Sequence, residues 1–160
     1  MNLNIKKQFR RLHSIYIVIL GSMSLAALIS VIIVFKMGAF AIFDLQTLNV
    51  LKAVVIMALL VGIPVSHIFY FKKIKHINRS LTLSKKIAMF QLAFVVRIAL
   101  LEGIGLLAMM AYLVAADKSF LYMFAVVFVL FIIHAPTKQR IISDLELDDE
   151  ESELLAEQVK

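Results

Sequence analysis

Arg97 and Glu102 are the residues of this chain best placed to do chemistry, because both stand inside one apolar run, Ile87 to Ala116. Counted from Ile87 at 1.5 Å per residue, they lie roughly 15 and 22 Å along a helix. A charged group at such depth in a bilayer costs at least about 2.5–3.5 kcal/mol on insertion scales, so each needs a partner or a task. Five positions at about 100° each set the two about 140° apart around the axis. They are therefore expected to face different neighbours.

Gln91 falls eleven positions before Glu102, three helical turns, and Ser84 continues the same line. A carboxylate at the end of such a sparse polar stripe suits reversible binding of a proton or sodium ion, since loss of water favours the neutral acid. The bland reading is an ion pair that fixes assembly: Glu102 with Arg97 of another copy, or with His67 or Lys52 of the preceding helix. His67 and His134 have no second ligand at helical spacing, so no metal site is expected.

The stretch from Gln91 to Val114, with Ala99-Leu100-Leu101-Glu102 at its centre, resembles the second helix of the proteolipid (c) subunit of rotary ATP synthases. In that family an Ala-Leu-x-Glu motif carries the ion-binding carboxylate. The resemblance covers about a sixth of the chain. It implies that Glu102 is the ion carrier, that Gln91 supports it, and that the basic segment Lys72 to Lys86 is the cytoplasmic loop before the carrier helix.

Four apolar stretches must position these groups: Ile15 to Phe35, Val50 to Phe71, Ile87 to Ala116 and Ser119 to Ala135. An α-helix needs about 20 residues to cross a hydrocarbon core of about 30 Å, and three of the four have them. The composition agrees, at 62% hydrophobic with a mean hydropathy of +0.93. The expected fold is all-α: a four-transmembrane-helix bundle over residues 1–135 (helices near 12–35, 48–71, 85–116 and 119–135), followed by an amphipathic segment and acidic tail, 136–160. Ser24-Leu25-Ala26 could pass for a signal cleavage motif, but the apolar run continues to Phe35, which favours an uncleaved first helix.

Cationic residues retained on the cytoplasmic side set orientation. Lys6, Lys7, Arg10 and Arg11 precede the first stretch; Lys72, Lys73, Lys75, Arg79, Lys85 and Lys86 fill the middle loop; Lys138 and Arg140 follow the fourth. Both termini and the middle loop are thus expected in the cytoplasm. Tyr16 and Tyr70 fall at the inner ends and Tyr112 and Tyr122 at the outer ends, where headgroup-level tyrosines would sit. Richness in Lys, Ile and Phe is compatible with a bacterial plasma membrane.

Helix association in lipid depends on close backbone approach. Small residues recur every fourth position: Ser22, Ala26 and Ser30; Ala58, Gly62 and Ser66; Ala99 and Gly103. They are expected to pack the four helices together, or to face a second copy. Phe120, Phe124, Phe128 and Phe131 are expected to face lipid or fill gaps. Pro64 removes a backbone donor from the second helix, so a kink is expected.

Up to Ser143, 16 basic residues face 3 acidic ones; from Asp144 onward, 8 acidic residues face Lys160 alone. The six cations of the middle loop are natural contacts for anionic headgroups. The run Asp148 to Glu153 is expected to be a mobile solvated tail, or to fold back on the cationic loop or engage a basic partner. Cysteine is absent, and no aromatic platform points to nucleic acid. No hydrolase, metallopeptidase or phosphate-loop signature appears, so neither an enzyme nor a cofactor is expected. The sequence favours a non-enzymatic accessory or structural subunit, possessing other membrane subunits or a second copy as partners. The competing function is ion translocation through Glu102.

Overall fold

A computed structural model describes residues 3–78 and 80–158. Its elements are α1 (Leu3–Met37), α2 (Leu45–Lys75), α3 (Leu83–Ala115), α4 (Lys118–Ile133), α5 (Lys138–Leu145) and α6 (Asp149–Gln158), with no strand among the described residues. Helices α1, α2 and α3 are each long and apolar enough to cross a membrane. Helix α4 has 16 residues and passes the same test only together with α5, from which it is bent by 78°.

Local chemistry sets these boundaries. Gly38 takes a left-handed φ of 78° and its N–H donates to the Val34 carbonyl, ending α1. The Asp44 carboxylate accepts from Thr47 N–H and opens α2. Ala116, with φ of 53°, closes α3, and Asp117 accepts from Ser119 N–H to start α4. Pro136 supplies no N–H and disfavours helical backbone in Ala135, so α4 stops and α5 turns away. Helix α2 continues through Pro64 as one element.

Helix α3 is the axis of the bundle and packs against α1, α2 and α4. Its buried side chains, including Phe90, Phe94, Ile98, Leu101 and Ala108, face several directions. By contrast α1 and α2 leave much apolar surface open, such as Val18, Leu25 and Leu28 on α1 and Val54, Leu60 and Ile68 on α2. The core is rich in rings: Tyr16 stacks on Phe131 at 5.1 Å, and Phe90 on Phe94 at 6.0 Å.

Most of the tyrosines and the α4 phenylalanines pack against neighbouring helices. Tyr16, Tyr70 and Tyr112 are buried in the bundle, and Tyr122 alone of the four tyrosines is exposed. Phe120, Phe124 and Phe131 are also buried, with Phe128 half-buried against Phe124. They fill gaps at the α4 interface, one of the two roles expected of them, and do not face outward.

The acidic segment is likewise not a loose tail. It forms α6, whose first turn carries Asp149, Glu150 and Glu151, the charge sign a helix N-terminus favours. Asp148 caps it by accepting from Glu151 N–H at 2.8 Å. Leu155 supplies the apolar anchor and is fully buried. Helix α6 lies against α1 and α5, at the bundle end where Gln8 of α1 donates to Ser84 of α3.

Candidate functional site

Arg97 is 4% exposed and reaches from α3 toward α2. Its Nη2 donates to His67 Nδ1 at 2.9 Å, and its guanidinium lies over the Tyr70 ring at 4.7 Å from the centroid. That geometry leaves His67 Nδ1 as acceptor, so the ring hydrogen sits on Nε2. The Arg97 Nε is buried without a hydrogen-bond partner, and Arg97 makes no ion pair among the described residues.

Tyr70 carries the contact onward. Its hydroxyl donates to Asp144 Oδ2 at 2.5 Å, linking α2 to α5. Arg140, one turn before Asp144, approaches the same oxygen at 4.0 Å and donates through Nη1 to the Ile133 carbonyl. His134, at the α4–α5 bend, donates from Nδ1 to the Leu130 carbonyl, and its ring lies 6.4 Å from that of His67. One carboxylate thus stands among two guanidinium groups and two imidazoles.

Glu102 lies on a different side of α3. It is half-buried and accepts from Ser22 Oγ of α1 at 3.0 Å. The same hydroxyl lies 2.8 Å from the Ile19 carbonyl. Ser22 has one hydrogen for these two acceptors, so an ionised Glu102 competes with the backbone. A protonated Glu102 can donate to Ser22 instead, which leaves both contacts made. Gly21 and Gly103 flank this seam; both are exposed, and a Cβ added at either would meet nothing within 4 Å.

Arg97 and Glu102 are therefore not joined within the chain, and Glu102 meets neither His67 nor Lys52. Lys52 is taken by Asp117 at 2.8 Å, and His67 by Arg97. Gln91 is half-buried on α3, and Ser84 serves Gln8. The small residues divide in two. Ser30 and Ser66 are buried, Ala26 and Ala58 half-buried, and Gly62 abuts Ile104 so closely that an added Cβ would sit 2.5 Å from its Cδ1. Ala99 and Gly103 are exposed, and Ser22, also exposed, meets α3 through its hydroxyl contact with Glu102. Sequence reasoning missed Gly105, where a Cβ would lie 2.6 Å from Met23 Cε of α1.

Among the expected headgroup contacts, Lys72, Lys73, Lys75 and Lys85 are exposed, and Arg79 lies outside the described residues. Lys86 is a correction. It is 6% exposed and gripped by both oxygens of Glu151 at 2.7 and 2.8 Å. Among the described residues no three metal-ligating side chains gather. Comparison with protein-family models, with curated proteins and with solved structures finds no match for the chain.

Proposed function

We propose that this chain is a four-span membrane subunit with both termini in the cytoplasm, and that it acts by assembly through the Glu102–Ser22 seam. The observation that carries this reading is a half-buried carboxyl group midway along the apolar surface, bordered by two glycines with open space above them. In lipid an uncovered carboxyl group is costly, and a neighbouring helix that supplies a hydrogen-bond partner lowers that cost. Glycines let the partner backbone approach closely. The partner argued for is a second copy, whose own seam offers the same hydroxyl and carboxyl at the same depth.

The test is oligomer size in mild detergent, read by native mass spectrometry. Glu102→Leu and Gly103→Leu should each shift the chain toward monomer while leaving its thermal stability intact. Unchanged oligomers in both variants would refute the assembly role.

A second reading uses the same acid as a proton or sodium carrier, in line with the proteolipid resemblance. The shared Ser22 hydrogen supports it, since protonation changes which contacts Glu102 can make. Labelling of Glu102 by a carbodiimide, with protection by excess sodium or high pH, is expected on this reading. A folded protein with an unlabelled Glu102 counts against it.

A further inference from the structure

We propose that the outer surface where α2 meets α4, at His67 and His134, holds the phosphate of an anionic membrane lipid. The proposal rests on the four-span reading above. Three lines of geometry lead to it.

The first is depth. The Lys52–Asp117 pair marks one end of the bundle. From Lys52 to His67 along α2 is about 22 Å, from Asp117 to His134 about 25 Å, and from Ala115 back to Arg97 about 27 Å, at 1.5 Å per residue. Three helices thus bring one polar layer to the same level, just inside the far boundary of a hydrocarbon core of about 30 Å. Helix α4 is itself only about 24 Å long for its 16 residues. Around so short a span the bilayer thins, which draws headgroups toward the layer.

The second is charge. Arg97 brings a buried positive charge with no ion-pair partner among the described residues, and an orphan Nε. The nearby Asp144 is already engaged by Tyr70 and approached by Arg140. The layer is therefore short of one anion.

The third is access and donor direction. His67 is exposed, and with Nδ1 accepting from Arg97 its Nε2–H is the donor on the far side of the ring. Arg140 offers its remaining guanidinium donors beside the α4–α5 bend. Ile68, Ile132 and Ile133 are exposed around this position, an apolar surround suited to acyl chains and not to a hydrated free ion. Phosphate oxygens accept from such donors through short charge-assisted bonds.

The test uses the full chain in nanodiscs of mixed phosphatidylglycerol and phosphatidylcholine, with bound lipid read by native mass spectrometry after gentle release. Phosphatidylglycerol should be retained in preference. His67→Gln and Arg140→Gln, which remove donors, and Arg97→Met, which removes the buried charge behind His67, should each lower that retention about tenfold. Lys72→Gln, an exposed cation elsewhere on α2, should change it less than about twofold. Thermal melts identify any variant that has simply unfolded, and the remaining two then decide. Equal retention of both lipids, or of the anionic lipid in folded variants, overturns the site. Displacement of the lipid by excess inorganic phosphate also overturns it, by assigning this surface to a soluble anion. Oligomer size in the same samples reports on the Glu102 seam separately, so failure of one idea is distinct from failure of the other.

Discussion

Arg97 Nη2 and His67 Nδ1 meet at 2.9 Å, joining α3 to α2 through a charged donor and a neutral acceptor with no carboxylate between them. An imidazole here does the work that a carboxylate usually does beside a buried guanidinium. Removing it leaves a charged donor unsatisfied in a dry place.

His67→Ala should therefore destabilise the bundle by about 2 kcal/mol, the cost of stranding a buried charged hydrogen-bond donor. Arg97→Met in the same background should recover much of that loss, because the charge and its orphan Nε are removed together. A double-mutant cycle of thermal melts in detergent measures the coupling. Simple additivity of the two changes would show that the contact contributes nothing.

Tyr70→Phe removes one hydroxyl that joins α2 to Asp144 of α5 while keeping the ring under Arg97. A loss of about 1–2 kcal/mol is expected, concentrated in α5. Backbone amides of residues 138–145 should exchange with deuterium faster, while those of α3 stay protected. Equal exchange across α5 in both proteins would mean that Ile141 and Leu145 alone hold it.

The helices themselves were legible in the sequence, because hydropathy over about 20 residues reports on length. Which side of each helix faces inward was not. In lipid an inward and an outward Leu have nearly the same solvation, so no polar stripe marks the packing face of α2, and the sparse stripe of α3 marks only one of its several buried sides. Tyr16 and Tyr70 show the same gap: the rule that puts tyrosine at headgroup level speaks of depth and does not say which rings also pack against a neighbouring helix. Arg97, Glu102 and His67 stood out by charge and depth, yet the pairing of His67 with Arg97 instead of Glu102 needed helix rotations that the sequence does not encode. Helix α6 was hidden by its charge, although Leu154-Leu155 within the acidic run was the available signal.

The glycines give a sharp contrast. At Gly103 a Cβ meets open space, so Gly103→Ala should stabilise the isolated chain by about 0.5–1 kcal/mol through helix propensity. At Gly62 and Gly105 the same Cβ falls 2.5 and 2.6 Å from side-chain ends of Ile104 and Met23. Bulkier changes there, Gly62→Leu or Gly105→Leu, should cost about 1–3 kcal/mol by overpacking. Thermal melts of the three variants rank these effects. A stabilised Gly105→Leu would mean that α1 moves away freely.

Asp117 predicts an acid-sensitive end. Its hydrogen bonds with Lys52 and then with Ser119 pull its carboxyl down from an ordinary 3.8 to about 2. A depressed folded value stabilises the protein above the unfolded value, and that contribution is lost as pH falls from about 4 toward 2. Melting curves across that window should drop less for Asp117→Asn than for the unsubstituted chain. Parallel curves would assign the acid response to other carboxylates.

Lys86 and Glu151 make the last test, because their pair decides whether α6 is part of the bundle. Lys86 is 6% exposed and both oxygens of Glu151 reach its ammonium at 2.7 and 2.8 Å. Glu151→Gln strands a buried cation, a change that costs about 3 kcal/mol where measured in other buried pairs. Lys86→Met together with Glu151→Gln removes the charge problem and keeps the packing, so α6 should re-dock through Leu155. Being shielded from solvent, the native pair should hold in molar salt, unlike a surface bridge. Hydrogen exchange across residues 149–158 reads all three states. Strong protection in the unsubstituted chain, loss in the single variant and recovery in the double are expected; fast exchange of α6 in the unsubstituted chain would mean that Leu155 and the ion pair together fail to hold it.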